Sequence, residues 1–136
     1  MKIYLSTKFQ NVEIYGDIKN SCEELGHSIT CDWVKHKDYK SIDKNERINQ
    51  SNEDLKGIEL ADLIILIYTG KDYEPGKGTM FEIGYASALQ KPIIGLDLSQ
   101  QKDLNNQSQF LSSLSKIVYS TTELYEYLQS SNLSNI

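Results

Sequence analysis

The chain has 136 residues, 39% hydrophobic and 24% charged, with a formal net charge of −5. That length suffices for one domain around one core, and that composition excludes wholesale disorder. The acidic balance argues against a duplex nucleic-acid binder, which needs a basic face to displace counterions, but leaves room for a small anionic ligand held by local lysines.

Taken in order, the first residues, Met1 to Phe9, are too short and polar an apolar stretch for a signal peptide. Ile3 to Ser6 reads as a first strand. Asn11 to Leu25 carries Val12, Ile14, Tyr15, Ile18, Cys22 and Leu25 at helical spacing, with Gly26 as the stop signal. His27 to Val34 reads as a second strand with Ile29, Cys31 and Trp33 alternating onto one face. Cys22 and Cys31 make neither a disulfide framework nor a recognisable metal spacing, even with His27 nearby, and are read as free thiols with no metal. Lys35 to Lys44 has no apolar period and reads as a mobile loop. Asn45 to Leu60 is helical, with Ile48, Leu55 and Ile58 on one side.

Asp62 to Tyr68 is a near-continuous apolar run, the kind buried on both faces of a parallel sheet. Its apolar part is strand length, far below the roughly 18 residues that span a bilayer, so a cytoplasmic protein without a membrane partner is expected. Thr69 to Lys77 is a loop, Thr79 to Gln90 a helix and Pro92 to Leu98 a strand. After an amide-rich stretch from Gln100 to Gln109, Lys116 to Ser120 forms a last strand and Thr121 to Leu128 a last helix. Residues 130–136 read as a frayed tail, leaving residues 1–129 as a single domain. Strand and helix alternate throughout, which predicts an α/β fold: an open parallel sheet of about five strands with helices on both faces. Ligands bind such sheets at the carboxyl ends of the strands, so the loops after Ser6, Trp33, Tyr68 and Asp97 are the ones to inspect.

Gly76 and Gly78 precede a helix start, where backbone N–H groups can approach a ligand. The loop follows the third strand and lacks both the dinucleotide fingerprint and the P-loop ending, so no nucleotide cofactor is implied. Thr79-Met80-Phe81-Glu82 matches a capping box, which on local pattern alone makes Glu82 a helix cap. Gly84, Ala86 and Ala88 read as a small face for packing on the sheet. Asp62 opens the buried strand at the wrong end of the sheet for a site.

A longer pattern changes that reading. Gly78-Thr79-Met80-Phe81-Glu82-Ile83-Gly84-Tyr85-Ala86, continued by Ala88 to Ile94, resembles the signature of the nucleoside 2-deoxyribosyltransferase family. Asp54-Leu55, Ile58 and Ala61-Asp62 before the apolar strand match as well, as does Ile3-Tyr4-Leu5-Ser6 at the start. The resemblance implies a flavodoxin-like fold and assigns roles by position. Glu82 is the nucleophile that attacks the anomeric carbon, Asp54 the acid that protonates the leaving base, and Tyr4 the group that holds and tunes the glutamate. Asn106 is lent by a neighbouring subunit, which makes the protein a homo-oligomer, dimer or larger.

These residue types suit the chemistry. Loss of a base from a sugar passes through an oxocarbenium-like state that a carboxylate stabilises or traps, while a second, protonated carboxyl serves the leaving group. The sequence departs from the family at Gly76, where transferases commonly carry an acidic residue that reads the sugar hydroxyls. Relatives that hydrolyse nucleoside 5′-monophosphates use hydroxyl and basic residues instead, and Ser6, Thr7, Lys8, Lys77 and Thr79 offer such groups. Substrate contacts are therefore expected from Ser6, Thr7, Lys8, Gly76, Gly78, Met80 and Asn106. The partners expected are a nucleoside or nucleotide and a free nucleobase, with no nucleic-acid polymer and no cofactor. Transfer between bases is the leading expectation and hydrolysis of a nucleoside 5′-monophosphate its rival. An NAD-cleaving domain and a non-catalytic nucleotide-binding module remain as further alternatives.

Overall fold

The computed structural model describes residues 1–71 and 74–130. The tail expected to fray falls, from residue 131 onward, outside the described residues. Strand β3 (Leu63–Tyr68) is buried along its whole length. A segment with no polar face can satisfy its backbone only between two strands and bury its side chains only between two helical layers. It accordingly sits in the middle of a parallel sheet of order β2-β1-β3-β4-β5. The remaining strands are β1 (Lys2–Ser6), β2 (Ser28–Ile29), β4 (Ile93–Asp97) and β5 (Lys116–Val118). No helix among the described residues is long and apolar enough to cross a membrane.

Among the described residues four helices connect or follow the strands: α1 (Val12–Glu24), α2 (Lys44–Leu60), α3 (Lys77–Ala88) and α4 (Thr121–Gln129). The chain steps from β1 outward to β2 and then back past β1 to β3, so right-handed crossovers put α1 and α2 on opposite faces. The helix contacts agree: α1 lies beside α4, and α2 beside α3. This is the expected doubly wound fold, with the reversal of strand order between β1 and β3. Helix α1 ends as expected at Gly26, whose φ of +92° permits the turn in which His27 N–H donates to the Cys22 carbonyl at 3.0 Å.

Several expectations are corrected. The second strand is short, because β2 is an edge strand with nothing beyond it to hold a longer run. The chain peels away after Ile29, and Thr30 Oγ1 donates to the Gly57 carbonyl of α2 at 2.7 Å. Cys31 and Trp33 therefore do not share a face: Cys31 lies against Gly57 of α2, whereas Trp33 packs on Tyr15 of α1 with ring centroids 4.5 Å apart. The Trp33 indole N–H donates to the Leu5 carbonyl at 2.8 Å, where a neighbouring strand would otherwise have bonded. The stretch Lys35 to Lys44 is anchored to α2 by polar groups, which hydrophobic periodicity does not register. Lys37 N–H donates to Gln50, the Gln50 amide donates back to the Lys37 carbonyl, and Arg47 Nε donates to the Tyr39 carbonyl.

Helix α2 starts one residue early because Asp43 caps it, accepting from Glu46 N–H at 2.9 Å, and Ile48 faces solvent. The small face expected on α3 is not one face. Positions two apart on a helix point in different directions, so Ala86 is buried while Gly84 and Ala88 are exposed; Thr79, Ile83 and Ala86 make the buried stripe. The amide-rich stretch folds onto the sheet through two 3-10 turns, Leu104–Asn106 and Gln109–Ser113. Leu104 and Leu111 are fully buried, and Leu104 packs over Gly95, where a Cβ would meet it at 2.7 Å.

Gly57 is what lets α2 close on β1. A Cβ there would lie 2.7 Å from Cys31 Cβ and 3.1 Å from the Tyr4 ring, both held in the buried layer. Gly57→Ala is expected to destabilise the fold by about 1–3 kcal/mol, the usual cost of overpacking, measured as a lower midpoint in urea with an unchanged slope.

Candidate active site

The first strand presents alternate residues to the layer of α2 and α3, and Tyr4 and Ser6 are the two on that side. Helix α3 presents Glu82 to the same place. The Tyr4 hydroxyl donates to Glu82 Oε2, and Ser6 Oγ donates to Oε1 at 2.8 Å. Both oxygens of the carboxylate are thus gripped from β1, at the carboxyl end of the sheet and beside its point of reversal. The capping-box reading of Glu82 is overturned by register. Helix α3 begins after Gly76, which makes no side-chain cap bond, so Thr79 already lies inside the helix and is buried. Glu82 consequently reaches across to the sheet.

Burial raises the Glu82 carboxyl to about 7; the hydrogen bonds from Tyr4 and Ser6 pull it down, and the negative charge of Asp54 pushes it further up. Two opposed effects therefore leave it near neutrality. Tyr4 is fully buried, and burial first, then the charges of Glu82 and Asp54, hold its phenol far above the ordinary range. It acts as a fixed donor. Asp54, on α2, is also raised, chiefly by burial, against the opposing effects of His36 and the Cys31 hydrogen bond. Cys31 Sγ lies 3.4 Å from Asp54 Oδ1, and His36 Nδ1 lies 3.6 Å from the same oxygen.

The other residues singled out by the sequence divide into groups. Thr7 is turned inward: its hydroxyl donates to the Ile67 carbonyl at 2.9 Å and accepts from Asn11. Lys8 is paired at 3.6 Å with Glu74, whose side chain is 2% exposed. Gly76 and Gly78 flank the start of α3; Gly78 is exposed, and a Cβ at Gly76 would meet only an ordinary contact with Lys8. Met80 is half-buried against the core, and Lys77 is exposed. Asn106 stands exposed on its 3-10 turn, outside the bonded group of Tyr4, Ser6 and Glu82. Asp62 accepts from Lys2 N–H at the amino edge, as expected of a structural residue. Cys22 and Cys31 are free thiols, Cys22 buried in α1 and raised to about 11 by that burial, while His27 bonds the N-terminal amine at 2.9 Å.

Sequence reasoning missed Glu74. It accepts from the N–H groups of Thr69 and Gly70, from the Thr69 hydroxyl at 2.5 Å and from the Asn11 amide at 2.8 Å. Burial pushes this carboxyl up, but these bonds and Lys8 outweigh burial and hold it below the ordinary range. It latches the loop between β3 and α3 to the end of β1. Its one signal in the sequence was a glutamate among glycines, which by itself reads as loop polarity.

No curated protein matches the sequence. A solved 2-deoxyribosyltransferase from the psychrotolerant bacterium Bacillus psychrosaccharolyticus superposes with a TM-score of 0.77 at 18% identity, covering 99% of this chain and 95% of that one. The CMP N-glycosidase BcmB of Clostridium botulinum superposes at 0.60 with 21% identity, covering 94% and 97%. A conserved protein from Enterococcus faecalis V583 superposes at 0.66 with 16% identity, covering 93% and 95%. At such identities these likenesses establish the fold. The model of one family, however, matches residues 3–114, a span that holds Tyr4, Asp54 and Glu82. The chain belongs to the nucleoside 2-deoxyribosyltransferase family.

Proposed function

We propose that the protein cleaves the N-glycosidic bond of a nucleoside or nucleotide through Glu82 and passes the sugar to a second nucleobase. The observation that carries this reading is the grip of Tyr4 and Ser6 on the two oxygens of one half-buried carboxylate, with Asp54 close enough to shift its ionisation. An acid used only for packing has no need of such orientation. In the first step Glu82 bonds to the anomeric carbon as the bond from that carbon to the base nitrogen breaks. The electron pair leaves with the base, which takes a proton from Asp54. In the second step the incoming base attacks the same carbon, Glu82 leaves as carboxylate, and the proton returns to Asp54.

Tyr4 and Ser6 set the direction of the attacking oxygen and keep it from being neutralised by its own burial. Asn106, offered by a second copy of the chain, completes the substrate pocket in this reading. One observation favours hydrolysis of a nucleoside 5′-monophosphate instead. Position 76 carries no acidic side chain to read a sugar hydroxyl, and the exposed Lys77 follows it at a helix start that no side chain caps. Water would then take the place of the second base.

Incubation with a deoxynucleoside and a different free base is expected to yield the swapped nucleoside, read by chromatography. Free sugar or sugar phosphate without exchange would establish the hydrolase instead. In the same assay Glu82→Ala is expected to lose on the order of a thousandfold or more, and Asp54→Asn about 10²- to 10⁴-fold. Unchanged rates in both would end the proposal.

The acid limb of the kcat/KM profile follows from Glu82, which must be ionised to attack, so the rate rises through about pH 7. The Tyr4 bond favours the carboxylate, so Tyr4→Phe is expected to move the rising limb to higher pH.

Stability responds with a definite sign. The Glu82 carboxyl is raised from 4.5 to about 7, so its contribution is full below about pH 4.5 and is lost as pH rises through 7. Glu82→Gln stays neutral throughout. Its thermal stability relative to wild type is expected to climb between those values and to level off above pH 7 at on the order of 1–3 kcal/mol. A pH-independent difference would contradict an ionising carboxylate at this position.

A further inference from the structure

Three donors of different chemistry meet where β2 leaves the sheet: Cys31 Sγ, an imidazole nitrogen of His36 and a carboxylate oxygen of Asp54, all within 4.8 Å of one another. They come from separate parts of the chain, the turn after β2, the 3-10 turn Trp33–Lys35 that His36 ends, and helix α2. Two edges of the triangle are 3.4 Å, from sulfur to carboxylate, and 3.6 Å, from His36 Nδ1 to the same carboxylate oxygen. Tetrahedral zinc, with bonds of about 2.3 Å to sulfur and about 2.0–2.2 Å to nitrogen and oxygen, requires edges of roughly 3.3–3.6 Å.

The second nitrogen of His36 is accounted for as well. Nε2 lies 2.8 Å from Glu53 Oε2, and in the tautomer that donates Nε2–H to that carboxylate the Nδ1 lone pair is free for a cation beside Asp54. A carboxylate behind the histidine is the arrangement that orients and strengthens an imidazole ligand. The cluster borders a groove lined in part by Thr30, Asn52, Glu53 and Gly57, and His36 and Asp54 are 16% and 26% exposed, so a hydrated cation can reach it.

We propose that Cys31, His36 and Asp54 form a three-ligand site for a thiophilic divalent cation of the zinc type, with Glu53 as the positioning residue behind His36. The fourth position faces the groove and is left to water or a ligand. Binding converts the Cys31 thiol to a thiolate, sulfur and cation forming a bond as the sulfur–hydrogen bond breaks and the proton passes to buffer. The carboxylates of Asp54 and Glu53 beside the site favour a cation once it enters. A bound cation holds Asp54 ionised. It therefore competes with the proton donation assigned to Asp54 above, a consequence that rests on that reading, whereas the site itself does not.

The test is direct binding of zinc chloride to the metal-stripped full chain, by calorimetry in buffers of different ionisation enthalpy and by competition with a chromogenic chelator. One zinc per chain is expected, with release of at least the proton of the Cys31 thiol. Cobalt(II) in its place should give the strong visible bands of a four-coordinate site and a near-ultraviolet thiolate charge-transfer band. Cys31→Ser is expected to lose that band, and both it and His36→Ala to weaken zinc at least about tenfold. Glu53→Gln is expected to weaken it about 10- to 100-fold. Cys22→Ser, altered in a different layer, should bind as wild type, and circular dichroism reports the folding of each variant. No saturable binding by the wild type, or binding unaffected by Cys31→Ser and His36→Ala in folded protein, overturns the site. Because binding is read without turnover, this outcome stays separate from failure of the glycosidic reaction.

Discussion

A carboxylate removed from water must find hydrogen bonds or lose its charge, and Glu82 finds two, from Tyr4 and from Ser6. Much else in the molecule follows from that requirement. The two hydroxyls can converge only because they stand at alternate positions of one strand, on the face covered by α2 and α3. The strand holds them there because it is paired on both sides and its neighbour β3 is buried throughout. Helix α3 can bring its second turn to the sheet because it begins early, at Gly76, and the loop before it is latched by Glu74. The balance that results, burial against two hydroxyls, keeps the acid near neutrality, where both of its protonation states are accessible to a reaction.

The second acid is handled differently. Asp54 has a thiol and an imidazole within reach of one oxygen. Cys31 arrives there because β2 breaks off after Ile29, and His36 because the following segment is bonded back onto α2 by Lys37, Gln50 and Arg47. The same short edge strand sends Trp33 to the opposite layer, where its indole seals the Leu5 carbonyl. One departure of the chain from the sheet thus furnishes both the surroundings of Asp54 and a corner of the opposite core. The glycine at position 57 is the steric counterpart: without it α2 could not carry Asp54 so close to Tyr4.

The parts of the molecule that were legible share a property. Hydrophobic periodicity depends on which side of an element is buried, and it marked β1, β3, β4 and most of α1 and α4 closely. It failed where polar bonds decide the path. The segment Lys35 to Lys44 shows no apolar period yet is tied to α2 at Lys37 and Tyr39, and the amide-rich stretch after β4 folds around two leucines, Leu104 and Leu111. It failed again at Ile48 and at Gly84 and Ala88, where apolar or small residues point to solvent.

By itself the sequence determined the alternation of strands and helices, the central place of Leu63–Tyr68, and, through the run from Gly78 to Ile94 with Tyr4 and Asp54, the family. These are properties of local pattern and of motif order, which need no coordinates. Whether Glu82 caps its own helix or crosses to the sheet was decided only by the tertiary structure, because both outcomes are compatible with Thr79-Met80-Phe81-Glu82 and the choice rests on where α3 starts. The meeting of Cys31, His36, Glu53 and Asp54 is of the same kind. Their separations along the chain carry no metal spacing, and what joins them is the exit of an edge strand and the packing of α2 against β1.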